Sequence, residues 1–156
     1  MTMVAYTDTL GFNKGTASFP APSDSRFAYY EVTLDFAAIV AARTAAAATA
    51  LAAGDTLQVL NLPAGLCILQ GGLEVMSVES TNTTSTLDLG FTGGSPAAAN
   101  VFANDAALNA LGITATGLAA PVTLTAADTL DILINTDDPT DAVVRVFLVG
   151  VNVNDL

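Results

Sequence analysis

A chain of 156 residues is the size of one domain and buries roughly 70% of the surface its unfolded form exposes, so no disulfide or metal staple is required. Apolar residues make up 52% and charged residues only 12%, about half the ~25% share usual in soluble domains, and a charge-poor skin of this kind points to partners, first of all copies of the same chain. The lack of any His removes the Ser/His/Asp and Cys/His nucleophile arrangements, and the net charge of −11 removes a phosphate-binding basic surface, so neither an enzyme nor a direct nucleic-acid binder is expected.

Residues 1–26 mix Gly, Pro, Ser and Thr with isolated Tyr6, Leu10, Phe12 and Phe19 and show no useful periodicity. They are predicted to form an extended N-terminal arm whose four apolar anchors lie on another surface; a frayed tail is the plain alternative. Asp8 and Asp24 balance Lys14 and Arg26 there, which leaves the whole −11 to residues 27–156, where Arg43 and Arg145 face thirteen carboxylates. The acidic body is predicted to be a single domain over 27–156.

From Phe27 onward, Ala28, Tyr30, Val32, Leu34 and Phe36 alternate with Tyr29, Glu31, Thr33 and Asp35, the period of a half-buried strand. Asp35 then stands before a run of helix formers as an N-cap, predicting a short helix to Arg43. Thr44 to Ala53 suits either more helix or a tightly packed loop that ends at Gly54-Asp55. Thr56 to Leu62 reads as a strand closed by Pro63-Ala64-Gly65, and Leu66 to Ser80 as a longer one bent at Gly71-Gly72.

After a turn at Thr81-Asn82-Thr83, Ser85, Leu87, Leu89 and Phe91 alternate with Thr84, Thr86, Asp88 and Gly90, predicting a strand with one exposed side. Residues 92–119 break the pattern and read as a long interface loop with a helical turn from Asn104 to Leu111. Val122 to Leu124 reads as a short strand, Leu130, Ile132 and Ile134 mark another, and the turn Asp137 to Asp141 leads to Val143–Val153. That last strand is apolar on both faces as far as Val149, as a central or covered strand would be. Seven or eight strands with minor helix predict an all-β fold, a β-sandwich of the jelly-roll kind with one or two short helices.

Chemistry-bearing residues are few. Asp137, Asp138 and Asp141 could hold a hard cation, but Asp-Pro turns need none and the spacing is not that of an EF-hand. Glu31, Asp88 and Asp131 could pair for glycoside hydrolysis, yet all three fall at outward, solvated strand positions. Gly71-Gly72 and Gly93-Gly94 lack the spacing of phosphate loops, and lone Cys67, within an apolar run, reads as a buried small hydrophobe. No cofactor is expected, and no signal peptide or membrane span either, because the start lacks a basic-then-apolar pattern and the most apolar window contains Arg43. Arg145, set in the most apolar strand, must reach solvent along its stem or pair with a carboxylate, which could belong to a neighbouring subunit.

The run Tyr30-Glu31-Val32-Thr33-Leu34-Asp35-Phe36-Ala37-Ala38-Ile39-Val40-Ala41-Ala42-Arg43, followed by Ala53-Gly54-Asp55-Thr56-Leu57-Gln58-Val59 and Leu62-Pro63-Ala64-Gly65, resembles capsid decoration, or cement, proteins and related small virion proteins of tailed bacteriophages, some from phages of cyanobacteria. The ending, with Asp128-Thr129-Leu130-Asp131 before Val143-Val144-Arg145-Val146-Phe147, has the same look, so the resemblance spans about residues 28–153. It implies a β-sandwich or jelly-roll homotrimer on the outer capsid surface of the virion that bridges adjacent major capsid protein subunits. Tyr6, Leu10, Phe12, Phe19 and Arg145 are the expected interface residues. A receptor- or glycan-binding module of a phage fibre or spike, reading its target through residues 92–119, is the alternative from another class.

Overall fold

The computed structural model describes residues 6–7, 13–14, 17–18, 27–92, 98–115 and 120–152. Leu10, Phe12 and Phe19 of the predicted arm lie outside them, and Tyr6 is described in its backbone alone. Three two-residue strands, β1 (Tyr6–Thr7), β2 (Asn13–Lys14) and β3 (Ala17–Ser18), precede the body. The body contains β4 (Phe27–Asp35), α1 (Phe36–Ala45), β5 (Thr56–Leu62), β6 (Leu66–Ser77), β7 (Thr86–Phe91) and β8 (Ala98–Ala107). It closes with β9 (Gly112–Thr114), β10 (Val122–Thr123), β11 (Asp128–Thr136) and β12 (Val143–Asn152).

Two antiparallel sheets carry these strands. One is six-stranded, ordered β10-β6-β12-β4-β3 with β9 also on β6; the other is four-stranded, ordered β5-β11-β7-β8. β1 and β2 pair with each other. Leu34, Val146, Leu148 and Leu73 from the first sheet and Leu57, Leu87, Leu89 and Ile132 from the second share one buried cluster, as facing sheets require of their inner positions. Phe91 and Phe102 meet edge to face, with centroids 5.4 Å apart, the offset that aromatic quadrupoles favour.

The strand predicted from Phe27 forms as expected, with Ala28, Tyr30, Val32 and Leu34 buried. Asp35 caps α1, its carboxylate accepting from Ala38 N at 3.2 Å, and the helix ends two residues past Arg43 in a loop, not a longer helix. Phe36, Ile39 and Arg43 face inward at helical spacing. Buried Arg43 donates through Nε to Thr49 O at 2.8 Å and through Nη2 to the same carbonyl, which pins the Ala-rich loop under the helix end. β12 is central, with β6 on one side and β4 on the other.

Three expectations need correction. Gly71 and Gly72 carry no bulge of β6: register with β12 runs unbroken from Gln70 to Val75 and shifts beyond Gln70, past Leu69. They are sites of close approach instead, since a Cβ on Gly71 would sit 2.3 Å from Leu148 Cδ2 and 2.8 Å from Phe102 Cδ1. β7 is not exposed on one side, because Leu87 through Phe91 are all buried between β11 and β8. Residues 104–111 make no helical turn; Asn104 to Ala107 continue β8, kinked where Asp105 takes φ 50°. Pairing of Leu87 with Ala106 and Leu89 with Ala103 overrides the weak strand preference of Ala and Asn.

Candidate interaction surface

The outer face of the six-stranded sheet follows from alternation. Burying Val144, Val146 and Leu148 turns Arg145, Phe147, Val149 and Val151 outward along β12. Register places Tyr29 beside Val149 and Phe27 beside Val151 on β4, and Glu74 beside Arg145 on β6. On the next strand, Ile113 stands opposite Glu74. Half-buried Cys67 lies opposite Val151, so it is less enclosed than its apolar run suggested.

Exposed large apolar side chains gather on this sheet. Phe27, Tyr29, Leu69, Met76 and Ile113 all belong to its strands, and Phe27 and Ile113 are 61% and 62% exposed. Scattered single apolar residues mean little, but a contiguous set on one sheet face marks a contact surface. Its charge is small: Arg145 Nη2 lies 2.5 Å from Glu74 Oε2 within the chain, which leaves the outward carboxylates Glu31 and Asp35 of β4, and Tyr29 donates its hydroxyl to Glu31 at 3.0 Å. Burial, and then that bond to a carboxylate, raise the Tyr29 hydroxyl above its ordinary value. Of the two ways expected for Arg145 to be satisfied, the structure has it paired, and with its own chain's Glu74. Among the other expected interface residues, Tyr6 pairs with Lys14 through the backbone; Ala17 and Ser18 of β3 pair with Tyr30 and Tyr29 of β4.

The four-stranded sheet differs. β7, β8 and β11 carry Asp88, Asp105, Asp128 and Asp131 with no Lys or Arg. Asp88 and Asp131 were expected to be solvated; instead both are buried, Asp131 at 2% exposure, because neighbouring chain folds over them. Asp105 N donates to Asp88 Oδ1 at 2.7 Å, and Thr92 N donates to Asp131 Oδ2 at 3.1 Å. Asn135 Nδ2 in turn donates to Asp105 Oδ1. Asp88 Oδ1, Asp105 Oδ1 and Asp131 Oδ2 are thus engaged by fold donors, while Asp131 Oδ1 is buried without one, and no group of three or more His, Cys, Asp or Glu among the described residues could hold a metal.

Sequence reasoning missed Glu79, which is 1% exposed and takes six hydrogen bonds. Donors are Thr81 N and Asn82 N at 3.2 Å, Thr140 N at 2.7 Å and its hydroxyl at 2.6 Å, and Asp141 N at 3.0 Å and Ala142 N at 3.2 Å. Burial pushes the carboxyl up, but the bonds from the Thr140 hydroxyl and from the Asp141, Thr140 and Asn82 backbone outweigh it and hold Glu79 well below the usual carboxylate range. The same turns account for the Asp-rich segment: Ser80 N donates to Asp141 at 2.8 Å, Asn82 Nδ2 donates to Asp138 Oδ1 at 3.2 Å, and the Thr84 hydroxyl donates to Asp137. Those aspartates fasten a turn, as their plainer reading had it.

Among the described residues no helix is long and apolar enough to cross a membrane. The sequence matches no family model and no curated protein. Its fold is similar to that of a chain in the cyanophage Pam1 capsid asymmetric unit, at 21% identity and a TM-score of 0.52 over 86% of this chain and 93% of that one. It is also similar to a chain in the acidic stable capsid structure of Helicobacter pylori bacteriophage KHP30, at 13% identity and a TM-score of 0.53 over 81% and 88%. The chain thus shares a β-sandwich fold with chains found in two bacteriophage capsids.

Proposed function

We propose that this chain is a structural virion protein, a decoration or cement protein that self-associates, as a trimer, on the outer capsid surface and bridges adjacent major capsid protein subunits. The observation that carries the reading is the gathering of exposed Phe27, Tyr29, Leu69, Met76 and Ile113 on one sheet, while the strands of the other hold carboxylates and no cation. Such a body sticks to protein through one side and keeps the other in water, repelling free polyanions. Likeness of fold to chains of two phage capsids, over most of each chain, supports the same reading. The jelly-roll form is supported by strand order: β4-β12-β6-β10 faces β5-β11-β7-β8, the pattern in which eight strands wind as two interleaved Greek keys.

The mechanism is mechanical. Contacts between neighbouring subunits add resistance to internal pressure, and apolar anchors on residues 1–26 supply a second grip, each worth roughly 1.5–3 kcal/mol if fully buried. Co-assembly with the major capsid protein of the virus that carries this chain is the test. The full chain is expected on the outside of the shell, raising the temperature at which the shell opens. A form lacking residues 2–26 is expected to stay folded and fail to attach; full attachment of that form overturns the role of the arm, and failure of the intact chain to bind shells overturns the function.

A further inference from the structure

We infer that the outer face of the six-stranded sheet is the seat of a second copy of this chain, an inference that rests on the self-association proposed above and names the surface that performs it. Size is the first argument. Nine paired positions on each of β4 and β12, ten on β6, three on β9 and two each on β10 and β3 give a footprint of roughly 550 Å² at about 4.8 Å between strands and about 3.3 Å per residue. Two such footprints reach roughly 1,100 Å² before side-chain corrugation is added, which clears the ~1,000 Å² that a stable interface needs.

Charge is the second argument and selects the occupant. A body of −11 repels its own copies, and most strongly through the four-stranded sheet, whose strands hold carboxylates and no cation. On the six-stranded face the repulsion is weaker, because Arg145 neutralises Glu74 within the chain and leaves only Glu31 and Asp35 on its strands. Of the two cations in residues 27–156, Arg43 is buried and Arg145 is already paired with Glu74, so the face offers an acidic partner no unpaired cation; its best match is another apolar face of the same kind. In a ring of copies the face turns inward, and Phe27 and Ile113, at opposite edges of it, meet neighbours.

Sedimentation velocity of the full chain between 1 and 100 micromolar tests this, with Phe27→Glu, Ile113→Glu and the double variant. Both positions are open to solvent in the single chain, and circular dichroism with a thermal melt checks that each variant folds. The wild type is expected to associate, each single variant to dissociate at least tenfold more readily, and the double variant to run as a monomer. A control charge on the other sheet, Thr86→Glu, is expected to leave association unchanged. A monomeric wild type overturns the inference, whichever surface or segment covers the face, and so do folded variants that associate like the wild type. Variants that keep wild-type association but lose shell binding assign the face to the capsid and also overturn it. Dissociation by the variants, in a wild type that never binds shells, upholds the face while the capsid function fails.

Discussion

The two outer faces of the sandwich are built from the same alternation and come out as opposites. On the six-stranded sheet, outward positions on β4 and β12 carry Phe27, Tyr29, Phe147, Val149 and Val151. On the four-stranded sheet, outward positions on β7 and β11 carry Asp88 and Asp131, and chain from Thr92 and Asp105 covers them. A polar outward residue therefore does not guarantee a wet face, nor does an apolar one guarantee a covered face. What tells them apart is whether the fold supplies donors: the aspartates have backbone N–H groups aimed at them, whereas Phe27, Tyr29 and Ile113 stay exposed among the described residues.

The contrast depends on how the chain crosses between sheets. The β6–β7 and β11–β12 connections both cross at one end, and Glu79 fastens the two together through donors 61 to 63 residues away in sequence. Its loss is expected to have the largest effect. Glu79→Gln keeps size but removes the charge and one acceptor, leaving several N–H groups with weaker or no partners, and a loss of about 3 kcal/mol follows from charged hydrogen bonds of this kind. Chemical denaturation at neutral pH reads it. The pH dependence has a definite sign: a carboxyl held below its unfolded value of about 4.5 contributes fully above that pH and loses its contribution as pH falls toward the folded value. The stability gap between wild type and Glu79→Gln should therefore be constant from pH 7 to 5 and shrink by about 1.4 kcal/mol per unit below about pH 4. A gap that stays flat to pH 2.5 breaks this account.

A second, smaller effect tests the contact between the sheets. Gly71→Ala places a methyl against Leu148 and Phe102, where the two inner faces meet, and overpacking of that kind costs about 1–3 kcal/mol. The side chains it meets are ends that can shift, so the fold should survive with a lower melting temperature. A variant as stable as the wild type shows that the sheets have slack at this point, and that Gly71 serves no close approach.

These two residues show where the sequence was legible. The strands at Phe27–Asp35, Thr56–Leu62 and Asp128–Thr136, and the Asp35 cap, were readable because one inner face must be apolar and one orphan N–H must be met, both local demands. β8 was not, since its Ala and Asn side chains pair with β7 for reasons that lie in β7. Gly71-Gly72 announced a special backbone but not its kind; only the neighbours across the core decide between a bend and a close approach. Glu79 belongs to no motif and four of its six donors are 61 to 63 residues away in sequence, so the sequence around it does not signal its role. For the interaction surface, Arg145 was found by its apolar flanks, whereas Tyr29, Val149 and Ile113 read as ordinary strand residues until register put them side by side.

Arg145→Leu should have the smallest effect on the fold and is the sharpest test of the apolar face. The ion pair with Glu74 is partly open to solvent, with about two-fifths of the Arg145 side chain exposed, and such pairs contribute about 0–1 kcal/mol. Leucine removes that pair but extends the apolar strip between Val143 and Phe147, so the melting temperature should change little. If Arg145 merely neutralises Glu74 within its own chain, association survives at low protein concentration, reduced only by the added charge of Glu74 that each copy then brings to the contact beside Glu31 and Asp35. If Arg145 also reaches a carboxylate of the neighbouring copy, the variant falls apart at low concentration while remaining folded, and adding Glu74→Gln does not restore it. The double variant separates the two cases: rescue of association by Glu74→Gln means that the face needs no cation of its own, since apolar contact is then sufficient to hold two acidic bodies together.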